Sequence, residues 1–165
     1  MIRLRMVWRC AWPLCIYSLG ASEMSKNLLF KNLKSAAGKP LELAIANGRF
    51  ANVEAVSPDV EIIDGKGLTA IPGLVDLHTH LREPGKEDAE TVLSGSKAAV
   101  AGGFTAISAM PNTSPIADTA GVVEQVFRLG KSHSLCDVFP IGAVTLGQQG
   151  KILSEMGAMH SSEAK

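Results

Sequence analysis

Beyond Pro72-Gly73 the chain alternates short apolar runs with longer ones of helical pattern, and this rhythm constrains the fold more than any other feature. LVDLHTH, DAETVLSGSKAAVAGG, FTAISAM, TAGVVEQVFRLGKS, CDVFPIGAV and GKILSEMGAM read in turn as strand, helix, strand, helix, strand and helix. Strands separated by helices pair in parallel, because each helix carries the chain back across the sheet before the next strand begins. For the first helix, Glu87, Asp88 and Glu90 fall in the expected first turn, where carboxylates favour the positive end of the helix dipole, and Gly102-Gly103 supplies the stop. Val92, Leu93, Ala99 and Val100 share one face, which predicts a helix lying apolar side down on the sheet.

Upstream the pattern is β. NLLFKNLK and LELAIANGRFANVEAV read as strands, Asn47-Gly48 offers the two positive-φ positions of a tight hairpin, and a short strand over 61–63 precedes the turn signal Asp64-Gly65. Residues 24–72 are therefore expected to form a small β module, and 73–165 a βα series. Residues 1–23 differ from both, with Arg3, Arg5 and Arg9, no acid before Glu23, and Trp8, Trp12 and Tyr17 among apolar neighbours. They read either as a non-native extension ahead of a folded part that opens at Met24, or as a weak targeting segment whose apolar stretch is broken by Arg9 and Pro13.

With 46% hydrophobic and 19% charged residues the chain has a globular composition. Sixteen basic and sixteen acidic residues give a formal net charge of +0, so no overall field draws in nucleic acid or an anionic membrane. Cys10, Cys15 and Cys136 are odd in number and lack metal or redox spacing, which points to a reducing compartment, the cytoplasm by default.

The chemistry concentrates in VDLHTHLREPG, residues 75–85. Residues two apart in a strand project to one side, so Asp76, His78 and His80 are expected on a common face at the end of the first strand of the series. Two neutral imidazoles there suit a zinc-like ion, and parallel-sheet proteins place their chemistry at this edge; the spacing alone is also compatible with a surface pair that binds nothing. Arg82 follows at the same spacing, and Asn112 lies in MPNTSP just past the next strand. A guanidinium and a carboxamide converging beside a metal suit a carboxylate, although Arg82 also reads as a surface ion pair and Asn112 as a turn residue.

The run IPGLVDLHTHLREPGKEDAETVLSGSKAAVAGGFTAISAMPNTSP resembles the amino-terminal catalytic segment of the dihydroorotases, cyclic amidohydrolases of the amidohydrolase superfamily. It joins His-x-His-x-Arg-Glu-Pro-Gly, the acidic stretch, Ala-Gly-Gly-Phe-Thr and Met-Pro-Asn-Thr in order. The resemblance implies an α/β fold, a metal-dependent-hydrolase (β/α)8 barrel preceded by part of a small β-sandwich. It also implies His78 and His80 as metal ligands, one or two zinc ions in a full-length enzyme, and Arg82 and Asn112 as holders of the substrate carboxylate. The implied reaction is the reversible cyclisation of N-carbamoyl-L-aspartate to L-dihydroorotate in pyrimidine synthesis. Allantoinases and hydantoinases share the His-x-His but usually lack the Arg and the Met-Pro-Asn-Thr.

A closed barrel of this kind takes about 250 residues, and residues 74–165 hold about three βα units. The sequence is therefore expected to be a truncated barrel, with the remaining ligands and the general base beyond Lys165, weak or absent zinc binding, and no turnover by the chain alone. An open sheet with a bare apolar face further implies aggregation or association, either as a homo-oligomer or with aspartate carbamoyltransferase. A non-catalytic companion of that transferase is the alternative role; the presence of both histidines favours the enzyme lineage.

Overall fold

The computed structural model describes residues 27–47, 49–55 and 60–162, so the extension over 1–23 and Gly48 of the expected hairpin lie outside the described residues. The chain divides into two compact units between Gly73 and Leu74.

In the first unit, β1 (Leu28–Ser35), β2 (Pro40–Ala46), β3 (Arg49–Ala51), β4 (Glu61–Asp64) and β5 (Thr69–Ala70) form one sheet in the order β3-β2-β1-β4, with β5 also on β1. The β1–β2 and β2–β3 pairs are antiparallel, while β4 and β5 run parallel to β1. Leu28, Phe30 and Leu33 of β1 pack with Ile45 of β2. Strict alternation from Phe30 would turn Asn32 inward. Instead the register shifts between Phe30 and Leu33, Asn32 adopts φ 58°, and Leu33 takes the buried place. Ala46 pairs with Arg49 and Asn47 lies at φ 52°, as a two-residue hairpin opening on Asn requires.

The bulge has an electrostatic consequence. Asn32 Nδ2 donates to Asp64 Oδ1 at 3.0 Å and Lys66 N donates to the same oxygen at 3.1 Å, and both bonds hold the Asp64 carboxyl below its ordinary value of 3.8. The stabilisation is present above pH 3.8 and is lost as pH falls through the lower folded value. An Asp64→Asn variant should melt slightly below the parent at pH 6, by no more than about 2 °C for so exposed a group. The difference between the two melting temperatures should shrink as the pH is lowered below 3.8, which thermal scans over a pH series would check.

In the second unit, β6 (Leu74–Thr79), β7 (Phe104–Ala109) and β8 (Asp137–Pro140) form a parallel sheet in the order β6-β7-β8. The connections carry α1 (Val92–Ala101) and α2 (Ala120–His133), and α3 (Met156–Ser161) follows. Val92 and Val100 of α1, Ile107 and Ala109 of β7, Val126 of α2 and Val138 of β8 meet in one core with Leu81 and Cys136. The α/β character and the order of elements thus follow the hydrophobic rhythm.

Three expectations need correction. First, α1 begins at Val92, not within the acidic stretch, and its first turn contains no acid. Thr91 caps it instead: the Thr91 hydroxyl accepts from Ser94 N at 3.0 Å and Ser94 Oγ accepts from Thr91 N at 2.9 Å. Secondly, the buried face of α1 includes Gly95 and Ser96 beside Val92 and Val100. A Cβ at Gly95 would lie 2.5 Å from Leu81 Cδ2, so a larger residue there would require Leu81 to shift. Thirdly, the stretch 150–155 is not helical. Thr145 bridges to Leu153, and buried Ser154 is pinned by its Oγ donating to Ala143 O and its N to Val144 O, so α3 can start only after it.

Among the described residues β6 is an edge strand with both faces open: Leu74 is 43%, Val75 56% and Leu77 72% exposed. Such a surface favours self-association. A Val75→Lys/Leu77→Lys variant should stay in solution at several-fold higher concentration than the parent; monodisperse parent protein at micromolar concentration would contradict this. No described helix is long and apolar enough to cross a membrane.

Candidate active site

The carboxyl end of β6 is fixed against β7 by two bonds: Thr79 Oγ1 donates to Ser108 O at 2.8 Å, and Met110 N donates to Thr79 O at 2.8 Å. The pairing register shifts between Asp76 and Thr79, and Asp76 Oδ1 folds back to accept from His78 N at 2.9 Å. Asp76 is thereby engaged with the backbone. The His78 and His80 rings lie with centroids 5.1 Å apart and planes at 67°. His80 Nδ1 lies 2.7 Å from Asn112 Oδ1, so the loop after β7 closes on the end of β6.

His78, His80 and Asn112 are thus brought together. Asn112 stands against a histidine, a contact that sequence spacing does not show. Arg82 follows a different rule from the one its spacing suggests. The strand ends at Thr79, and Arg82 lies beyond it at φ 63°, its carbonyl accepting from Lys86 N at 3.1 Å. A turn, not strand alternation, places it.

That turn is held from several sides. Ser114 N donates to Pro84 O at 2.9 Å, tying the loop after β6 to the loop after β7. Gly85 sits at this crossing with φ 99°, and a Cβ there would collide with the Ser114 carbonyl oxygen. Glu83 Oε2 accepts from Val92 N at 2.7 Å, capping α1, and Glu87 Oε1 accepts from Gly85 N at 2.7 Å. The Gly85 amide and then its own N–H hold the Glu87 carboxyl below the ordinary range. These acids therefore brace the loop. The sequence pattern assigns Glu87 to the helix and gives Glu83 and Gly85 no role; the Glu-Pro-Gly turn signature is the available signal.

The donor set bears on metal binding. Two imidazoles on one zinc-like ion, with N–metal bonds of about 2.0–2.1 Å and a near-tetrahedral angle, place their ring centres roughly 5 Å apart. The 5.1 Å separation fits that arrangement. No set of three or more His, Cys, Asp or Glu side chains able to hold a metal occurs among the described residues, and two imidazoles alone are fewer donors than a closed zinc site uses. His133 ends α2 and His160 lies in α3, and neither joins the pair.

Residues 67–164 match the family described as Dihydro-orotase-like. The chain belongs to that family. It is 53% identical over 146 residues to the dihydroorotase of Streptomyces coelicolor, covering 86% of this chain and 33% of that protein. To the dihydroorotase of Leifsonia xyli it is 54% identical over 132 residues, covering 79% of this chain and 30% of that protein. The chain spans about a third of the length of these curated relatives. Among solved structures, the L-hydantoinase of Arthrobacter aurescens superposes with a TM-score of 0.61 at 23% identity, over 84% of this chain and 32% of that one, which establishes a shared fold.

Proposed function

We propose that this chain forms the amino-terminal part of a dihydroorotase active site and that the whole enzyme interconverts N-carbamoyl-L-aspartate and L-dihydroorotate. The observation that carries the reading is the His78–His80 ring pair, tied to Asn112 and lying inside the matched family segment. In this reading His78 and His80 are ligands from the first barrel strand, and zinc bound there supplies Lewis-acid polarisation of the ring amide and activation of water. Arg82 provides a charged fork for the substrate carboxylate, and Asn112 an amide donor beside it. Because Asn112 Oδ1 is engaged with His80, the groups it has left to offer are the two Nδ2 hydrogens, which a carboxylate can accept.

The same reading places the three βα units in a (β/α)8 barrel and the first unit in a β-sandwich, each completed by further chain. The open faces of β6 are consistent with such completion, or with association in a homo-oligomer or with aspartate carbamoyltransferase. A cytoplasmic location accords with cysteines that are odd in number and lack metal or redox spacing, Cys10, Cys15 and Cys136. With two ligands and no general base assigned among the described residues, the isolated chain is expected not to turn over.

A chimera tests this. Residues 67–164 would replace the matching segment of the Streptomyces coelicolor dihydroorotase, and dihydroorotate hydrolysis would be followed. Activity within about tenfold of the parent, abolished by His80→Ala, is the expected result. A folded chimera that binds zinc yet leaves dihydroorotate untouched would sink the proposal.

A further inference from the structure

The contact between Asn112 and His80 has more in it than loop packing. A carboxamide oxygen only accepts, so the bond at 2.7 Å places the His80 ring proton on Nδ1. In the neutral ring Nε2 then carries the lone pair, and a metal ligand is held best when its other nitrogen is so engaged. The bond is anchored on both sides. Thr79, beside His80, is bonded to Ser108, and Asn112 lies between buried Pro111 and buried Thr113, whose hydroxyl donates to Pro115 O at 2.7 Å. By contrast His78 is exposed, and its backbone, not its ring, is the part bonded to Asp76. The two imidazoles are therefore not equivalent.

We propose that Asn112 is a positioning residue for His80. Its Oδ1 fixes the ring in the Nδ1–H tautomer with Nε2 presented for a metal ion, while its Nδ2 remains for an acidic substrate, so one side chain links ligand orientation to substrate capture. The inference rests on His80 being a metal ligand, but its first readout needs no metal.

The test uses the full 165-residue chain, metal-free and at about pH 8, above the ordinary histidine range. Long-range proton–nitrogen correlation spectra would report the His80 tautomer in the parent and in Asn112→Leu and Asn112→Asp. The parent should show the proton on Nδ1, Asn112→Leu should shift the ring toward the Nε2–H form that free imidazole prefers, and Asn112→Asp, whose carboxylate still accepts, should restore it. Titration with zinc alone should then give an affinity about 10- to 100-fold weaker for Asn112→Leu and recovered for Asn112→Asp. An Nε2–H tautomer in the parent, or a tautomer unmoved by Asn112→Leu, would overturn the inference. If Asn112→Leu does not fold, the tautomers of the parent and of Asn112→Asp decide the matter: Nδ1–H in both supports the contact, and Nε2–H in either overturns it. A parent with the Nδ1–H tautomer whose zinc uptake is indifferent to His80→Ala would instead overturn the metal reading and leave the positioning contact standing.

Discussion

Replacing Gly85 with alanine should destabilise the second unit by about 2–4 kcal/mol and lower its melting temperature by at least about 8 °C. Two effects add. The backbone stands at φ 99°, where an L side chain is strained, and the new Cβ would meet Ser114 O, a backbone atom that cannot swing aside as a flexible side chain would. Relief requires the loop after β6 and the loop after β7 to separate, which breaks the Ser114–Pro84 bond and draws Asn112 away from His80. The substitution should therefore show in the His80 ring signals as well as in the melt. A Gly85→Ala protein with the parent's melting temperature and unchanged ring signals would refute the clasp between the loops.

The second large effect concerns Arg82. In the chimera described above, Arg82→Met should raise the KM for dihydroorotate by about 10- to 150-fold, the loss of one charge-assisted contact of about 1.5–3 kcal/mol. Zinc content should stay unchanged, because the guanidinium is assigned to the substrate and not to the metal. Arg82→Lys should recover only part of the loss, since an ammonium cannot form the two-pronged contact. An unchanged KM with a lowered kcat would show that Arg82 acts elsewhere in the reaction.

Much of the βα unit is legible in the sequence because its signals are periodic. The runs read as β6, β7 and α2 match the observed elements within one or two residues, since apolar alternation and helical spacing report directly which face meets the core. Where periodicity misleads, a specific hydrogen bond has overruled a local preference. Glu87, Asp88 and Glu90 look like a helix start, yet Glu87 is drawn to Gly85 N and Glu83 reaches forward to Val92 N, so the helix waits for Thr91. The stretch before Met156 looks helical, yet Ser154 is held by carbonyls of residues 143 and 144.

The site divides in the same way. His78 and His80 are readable from strand spacing and from the resemblance, because both sit on or beside one short element. The Asn112–His80 bond joins residues 32 apart and depends on how two loops cross, which composition and period do not encode. Arg82 illustrates the intermediate case: its place in the loop is legible, but the left-handed backbone it adopts there is not.

The proposal that His78 and His80 together hold a metal is tested most directly by titrating the 165-residue chain with zinc and repeating the titration on His78→Ala/His80→Ala. One zinc ion per chain is expected, bound weakly for want of further ligands at about micromolar affinity or below, and lost in the double variant. Equal zinc uptake by the parent and the double variant would refute the pair as a metal site.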